Sequence, residues 1–198
     1  IHASLVDALQ MAGCRLKRYR HNELDDLERV LKDLEAEAPD AGKLIIVDGV
    51  YSMGGDLAPL PEIAALAKRY GARFFVDDAH GLGVMGPGGR GTHVHFNCVD
   101  DVDLVMGTFS KSFASLGGVI AGSKDVIDYI QHHARSLIFS ASMPPANVAT
   151  VLACLDVVEA DPSYVTKVHV QSGKVRDALR GMGYNCGASV TPIVPVFI

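Results

Sequence analysis

Lys111 stands alone among small hydroxyl and glycine residues, in Gly107-Thr108-Phe109-Ser110-Lys111-Ser112-Phe113-Ala114-Ser115-Leu116-Gly117-Gly118. The nearest acid before it is Asp103, and none follows until Asp125. A lysine with few charged neighbours can have its ammonium pKa lowered, which leaves a nucleophilic amine able to form a Schiff base. The bland alternative is a lysine snorkelling out of a glycine-rich turn. Upstream, Asp77-Asp78-Ala79-His80-Gly81 closes another apolar run. A carboxylate at a strand end is expected to be partly buried, and burial demands a partner. Lys111 would serve, as a structural ion pair. So would a protonated heteroaromatic nitrogen, as in pyridoxal 5′-phosphate (PLP) enzymes, where an aspartate keeps the pyridinium an electron sink. His80 suits the other edge of such a ring, the substrate, or an ordinary loop hydrogen bond. Thr108 and Ser110, with the backbone N–H groups of their loop, suit a phosphate. Asp78 points away from Asp77 on an extended chain and reads as a loop hydrogen-bonder rather than a second acid.

The elements that must position these groups alternate. Ser4 to Gly13 reads as a helix, Cys14 to Tyr19 as a short strand, and Asn22 as the cap of a helix running to about Glu37 with Leu24, Leu27, Leu31 and Leu34 on one face. Leu44–Val47, Phe74–Val76, Leu104–Met106 and Val119–Ala121 are short apolar strands. Helices are predicted from Pro61 to near Tyr70, and over about 125–132, 146–159 and 164–182. Strands apolar on both faces, separated by amphipathic helices, indicate a parallel or mixed sheet covered on both sides. Ligands of such sheets bind at the carboxyl ends of the strands. The loops at 48–56, 77–81 and 108–118 are all placed there. His93 and His95, alternating around Val94, have no carboxylate or cysteine at metal-ligand spacing and read as a surface strand or loop.

The bulk numbers narrow the classes. The 198 residues are enough for one sizeable core, 48% are apolar and 21% charged, as expected of a globular protein. A net charge of -5 gives no reason to expect a nucleic-acid partner. No apolar run approaches the roughly 18 residues of a membrane span. Ile1-His2-Ala3-Ser4 lacks the basic and apolar regions of a signal peptide. Cys14, Cys98, Cys154 and Cys186 form no CxxC pair and read as free thiols in a reducing compartment, so a cytoplasmic location is expected. A start without methionine and a close on Pro192–Ile198, which reads as an apolar strand, lead us to expect part of a longer protein.

Four ordered motifs carry a family resemblance. They are Asp48-Gly49-Val50-Tyr51-Ser52-Met53-Gly54-Gly55-Asp56; Val76 to Gly81 with Gly88-Gly89-Arg90-Gly91; Gly107 to Lys111; and Ile138-Phe139-Ser140-Ala141-Ser142-Met143-Pro144-Pro145. Together they resemble the α-oxoamine synthases, PLP enzymes of fold type I, over essentially the whole chain. The resemblance implies an α/β, three-layer αβα large domain with a mostly parallel sheet over residues 1–160, and the start of a small C-terminal α+β domain over 161–198. It implies that Lys111 binds the cofactor covalently and moves protons at the substrate α-carbon. Asp77 would pair with the pyridinium nitrogen, and His80 and Ser52 with the phenolic oxygen. Thr108 and Ser110 would hold the phosphate, and His2 would stack on the ring. Ser140 would reach the phosphate of a neighbouring subunit's cofactor, which implies a homodimer with shared active sites. The family's phosphate-binding turn before His2 and its C-terminal carboxylate-gripping arginine lie outside these residues.

Within the family, Gly-Thr-Phe-Ser-Lys-Ser resembles the serine palmitoyltransferase branch. Oxononanoate synthases tend toward Phe-Gly-Lys-Gly, and the aminolevulinate and ketobutyrate enzymes toward Leu-Gly-Lys-Ala. The expected reaction is the decarboxylative condensation of L-serine with a long-chain acyl-CoA to give 3-oxosphinganine, the first step of sphingolipid synthesis. Peripheral membrane contact is compatible with so lipid-like a product. The alternatives are 8-amino-7-oxononanoate synthase, using L-alanine and a pimeloyl thioester, and a non-catalytic partner subunit. The last should have lost the lysine or the aspartate; this chain retains Lys111, Asp77, His80 and His2.

Overall fold

The computed structural model describes all 198 residues. Helix α1 spans Ala3–Met11 and α2 Leu24–Glu37; strand β1 (Lys43–Asp48), helix α3 (Leu60–Arg69) and strand β2 (Ala72–Asp77) follow. A single helical turn, α4 (Thr92–His95), precedes β3 (Leu104–Thr108) and β4 (Gly118–Gly122). Four helices complete the chain: α5 (Lys124–His133), α6 (Arg135–Ile138), α7 (Pro145–Ala160) and α8 (Ser163–Gly181). The sheet order is β1-β2-β3-β4, with β1, β2 and β3 parallel and β4 antiparallel to β3.

The core lies on one face of this sheet. Ile45 and Val47 of β1, with Phe74 and Val76 of β2, alternate toward it and meet Leu27 and Leu31 of α2 and Leu60, Ile63, Ala64 and Ala67 of α3. The period of 3.6 in the helices and of 2 in the strands therefore meet on one surface. Pro61 sits in the first turn of α3, where its missing N–H has no intrahelical partner to lose. The opposite side is less closed. Leu44 is half exposed and every residue of β4 is exposed, including Val119 and Ile120. The expectation of strands covered on both faces thus holds for β2 and not for β4.

Four local expectations are corrected. Cys14–Tyr19 forms no strand: the segment has no regular structure, is almost wholly exposed, and finds no ladder partner. Asn22 does not cap α2; the cap residue is Glu23, and Asn22 takes φ +54° and donates from Nδ2 to Asp56 and to the Leu57 carbonyl. The start of α2 is held instead by Asp26, which accepts from the Arg20 N–H and from Arg29. His93 and His95 lie on α4, because the residues after Gly91 wind about the Asp78 carboxylate instead of extending. Finally, Pro192–Ile198 makes no regular strand, only an isolated antiparallel bridge between Asn185 and Phe197.

Candidate active site

Parallel pairing brings the chemistry to one edge. Asp48, the last residue of β1, is in register with Asp77, the last of β2, and Asp77 with Met106 of β3. Each chain leaves its strand into one of the loops singled out from the sequence. Asp77 is 4% exposed, and its carboxylate receives one hydrogen bond, from Ala79 N–H to Oδ1 at 3.0 Å. No basic group lies within 4.0 Å of it, so the structural ion pair with Lys111 does not form. The Lys111 ammonium has neither an ion pair nor a hydrogen bond.

The Lys111 loop is a closed turn. Phe109 N–H donates to Gly117 O, Ser115 N–H to Phe109 O and Ala114 N–H to Lys111 O. Phe113 is buried as its anchor, edge-on to Phe109. Ala114 takes φ +47°, a left-handed conformation that costs an L-residue roughly 1–2 kcal/mol, so the surrounding bonds must impose it. At its mouth, Thr108 Oγ1 lies 2.8 Å from Ser110 Oγ, and it also accepts from Ser110 N–H at 3.3 Å. Two hydroxyls and free loop amides are suited to anion oxygens.

Lys111 and His80 share a cavity of about 170 Å³ with Ser112, Val168 of α8, and Thr191 to Ile193. Desolvation lowers the pKa of Lys111, opposed by the Asp77 and Asp48 carboxylates. His80 is also pushed down, by desolvation and then by the Lys111 charge, with Asp77 opposing. Asp48 is pushed up by burial, with the neighbouring Asp77 charge adding to the effect. The site therefore holds a lysine biased toward its free amine, an imidazole biased toward neutrality and, at the strand edge beside them, a buried carboxylate with no cationic partner.

His2 caps α1: its Nδ1 accepts from Ser4 N–H, and its own backbone N–H donates to Asp48 Oδ1 at 3.3 Å. That places it beside the β1 end of the site. Ser52 is exposed in the loop after β1 and makes no hydrogen bond. Ser140 is exposed after α6, with its hydroxyl on the Ser136 carbonyl, and does not line the Lys111 cavity. Sequence reasoning missed the other wall. Thr191 Oγ1 donates to Gly55 O at 2.8 Å and Ser189 Oγ to the same carbonyl at 3.3 Å, while Arg176 of α8 donates to Thr191 O. These contacts fold the C-terminal segment over the cavity. Nothing local in the sequence marks the two bonds to Gly55, since their partners lie more than a hundred residues apart.

Comparison with known proteins agrees with this fold. The family model for aminotransferase class I and II matches residues 1–197. The chain is 52% identical over 198 residues to serine palmitoyltransferase of Bacteriovorax stolpii, covering all of this chain and 46% of that protein. It is 40% identical over 202 residues to 8-amino-7-oxononanoate synthase of Thermoanaerobacter pseudethanolicus, again covering all of this chain and 49% of the relative. The chain thus spans about half the length of the curated relatives it matches. Among solved structures, serine palmitoyltransferase from S. paucimobilis with a bound PLP–myriocin aldimine superposes with a TM-score of 0.93 at 33% identity, over 100% of this chain and 51% of that one. The fold is that of a fold type I PLP transferase. The chain belongs to the aminotransferase class I and II family and, within it, to the α-oxoamine synthases.

Proposed function

We propose that the protein to which this chain belongs condenses L-serine with a long-chain acyl-CoA, palmitoyl-CoA in the first instance, releasing CoA and CO₂ and forming 3-oxosphinganine. The observation that carries the reading is the unpaired set at one sheet edge. Asp77 is a buried carboxylate with one amide donor and no cation, and Lys111 is a lysine with no anion. A buried carboxylate left so is costly unless a cationic group completes it. The pyridinium of PLP fits that gap, and the Thr108–Ser110 hydroxyl pair fits its phosphate. Bound there, PLP supplies an electron sink for negative charge at an amino-acid α-carbon.

The chain's own residues do the rest. Lys111, biased toward its free amine, is the covalent anchor and the base that takes and returns the α-proton. Asp77 holds the proton on the ring nitrogen. His80, biased toward neutrality, hydrogen-bonds the phenolic oxygen together with Ser52. Thr108 and Ser110 hold the phosphate and keep the ring from rotating. His2, tied to the Asp48 end of the sheet, covers the ring face. Ser140 serves the site of a second copy in a homodimer. Exposed Val119, Ile120, Leu137, Ile138, Phe139 and Leu152 support burial of this side in the whole assembly. Residues 161–198 open a second, smaller unit, supported by the Asn185–Phe197 bridge and the Arg180–Gly187 bond within it. Four unpaired cysteines, two of them buried, support a reducing, cytoplasmic setting. No helix is long and apolar enough to cross a membrane.

The choice of serine over alanine rests on the Ser-Lys-Ser context of Lys111 and on the 52% relative. The 40% relative keeps alanine with a pimeloyl thioester as the second reading. Incubating the full-length protein with PLP, serine and palmitoyl-CoA should release CoA, and Lys111→Ala should abolish the release. Release only with alanine and a pimeloyl thioester would assign the second reading. A native-rate Lys111→Ala protein would overturn both.

A further inference from the structure

Asp78 follows Asp77 directly, yet its side chain does something else. It is fully buried. No lysine or arginine pairs with it, and the nearest basic atom, His93 Nδ1, is 3.7 Å from Oδ2. Both oxygens are occupied by one residue. Thr92 N–H donates to Oδ2 at 2.7 Å, and the Thr92 hydroxyl donates to Oδ1. Thr92 is itself fully buried. Charge-assisted donors of this kind offset the cost of burying the carboxylate, and losing either leaves it short of a partner.

Three glycines crowd this pair. A methyl group on Gly49 would lie 2.8 Å from both Asp78 Oδ1 and Thr92 Oγ1, and one on Gly81 or Gly91 would press on the carboxylate more closely still. The three come from different places. Gly49 opens the loop that carries Ser52, Gly81 follows His80, and Gly91 opens α4. The Asp78 backbone extends the linkage: its N–H donates to Met106 O of β3, and its carbonyl accepts from Gly81 and Leu82. Leu82 O in turn accepts from Ser112 Oγ, beside Lys111, at 2.6 Å. We propose that Asp78, acting through Thr92, is the positioning residue of this site: one buried carboxylate fixes the three loops so that His80 faces the cavity that holds Lys111, with Asp77 at the strand edge beside it. The proposal rests on the catalytic reading above for its kinetic part only.

The test uses full-length protein carrying Asp78→Asn, Thr92→Val or Thr92→Ser. Asp78→Asn keeps the shape and leaves one Thr92 donor without an anion; Thr92→Val removes only the hydroxyl and guards against a failure of the first variant to fold. Both should lower kcat by about ten-fold or more with KM for the amino acid within about two-fold, and Thr92→Ser should restore it. In PLP-free protein, the NMR titration of the His80 ring should move in Asp78→Asn and Thr92→Val and return in Thr92→Ser. An unchanged His80 titration in folded Thr92→Val protein, with kcat within about two-fold of native, would overturn the proposal. If the native protein does not turn over serine and palmitoyl-CoA but the His80 titration still follows Thr92, the positioning role stands and the catalytic reading falls.

Discussion

Replacing Asp77 by asparagine is the sharpest perturbation of the site. Asparagine has the same shape and keeps an oxygen for Ala79 N–H, now 3.0 Å from Oδ1, so the loop need not move. What it removes is one negative charge that is 4% exposed and therefore poorly screened. A hydrogen bond between a charged donor and a carboxylate is worth about 1.5–3 kcal/mol net. At about 1.4 kcal/mol per factor of ten, kcat/KM should fall roughly ten- to a hundred-fold. The charge also acts on its neighbours, since it opposes the lowering of both the Lys111 and His80 pKa values. Without it, both groups lose their protons at lower pH. Any acidic limb of the rate profile set by the Lys111 ammonium should therefore shift toward lower pH. Initial rates of CoA release by full-length Asp77→Asn protein, followed across pH, measure both effects. An asparagine variant within about two-fold of native, with its acidic limb unmoved, would refute the claim that the site uses this charge.

Three further outcomes test the frame around the site. Phe74→Ala empties a fully buried position between β1, β2 and α3, and should cost about 3–5 kcal/mol in denaturant unfolding; a cost under about 1 kcal/mol would show that the cluster is not packed as described. Asp26 has its pKa lowered by the Arg20 N–H and by Arg29, so it stabilises the folded state above its unfolded pKa and that contribution is lost as pH falls through the folded value. Asp26→Asn should accordingly lower the melting temperature at neutral pH, with the gap to native closing below about pH 4; a gap independent of pH would contradict this. Thr191→Val deletes the 2.8 Å bond to Gly55 O while Ser189 keeps its own, a loss of about 1 kcal/mol, so amide exchange over residues 189–193 should quicken about five-fold. Unchanged exchange would mean that Thr191 does not hold the C-terminal segment down.

What could be read from the chain follows from which contacts are local. The α2 and α3 stripes and the apolar strand runs are set by residues a few positions apart, and they appear where periodicity puts them. That Asp77, His80 and Lys111 gather at one edge was legible because Asp77 ends β2, His80 follows it and Lys111 follows β3, and strands of a parallel set end on one edge. Asn22 was misread because its side chain has a better use: Asp56 and the Leu57 carbonyl, 34 and 35 residues away, outcompete the helix N-terminus. Cys14–Tyr19 has the look of a strand, but a strand needs a neighbour, and pairing is a property of the whole sheet. The roof of Ser189 and Thr191 over the Gly55 carbonyl lies beyond local inference for the same reason.

The direction of β4 shows how much a loop length can carry. Val119 to Ala121 reads equally well as a parallel or an antiparallel strand, since its apolar run has no direction. Yet only the nine residues 109–117 separate β3 from β4, and a parallel connection needs a crossover of a dozen or more. The reversal is therefore forced. It pairs Thr108 with Gly118 and makes the intervening segment a closed loop over the carboxyl edge of β3. A crossover helix in its place would have carried the chain away to the face of the sheet. The short return keeps Lys111 over the edge where Asp77 and His80 leave β2. Lengthening this loop by glycine insertion after Ser115 should therefore weaken cofactor retention and turnover together, while leaving the β1–β2–α3 core intact. Titrating PLP against the inserted full-length protein, with thermal melting as the control, would check this; undiminished PLP affinity would show that the reversal of β4 does not set the position of Lys111.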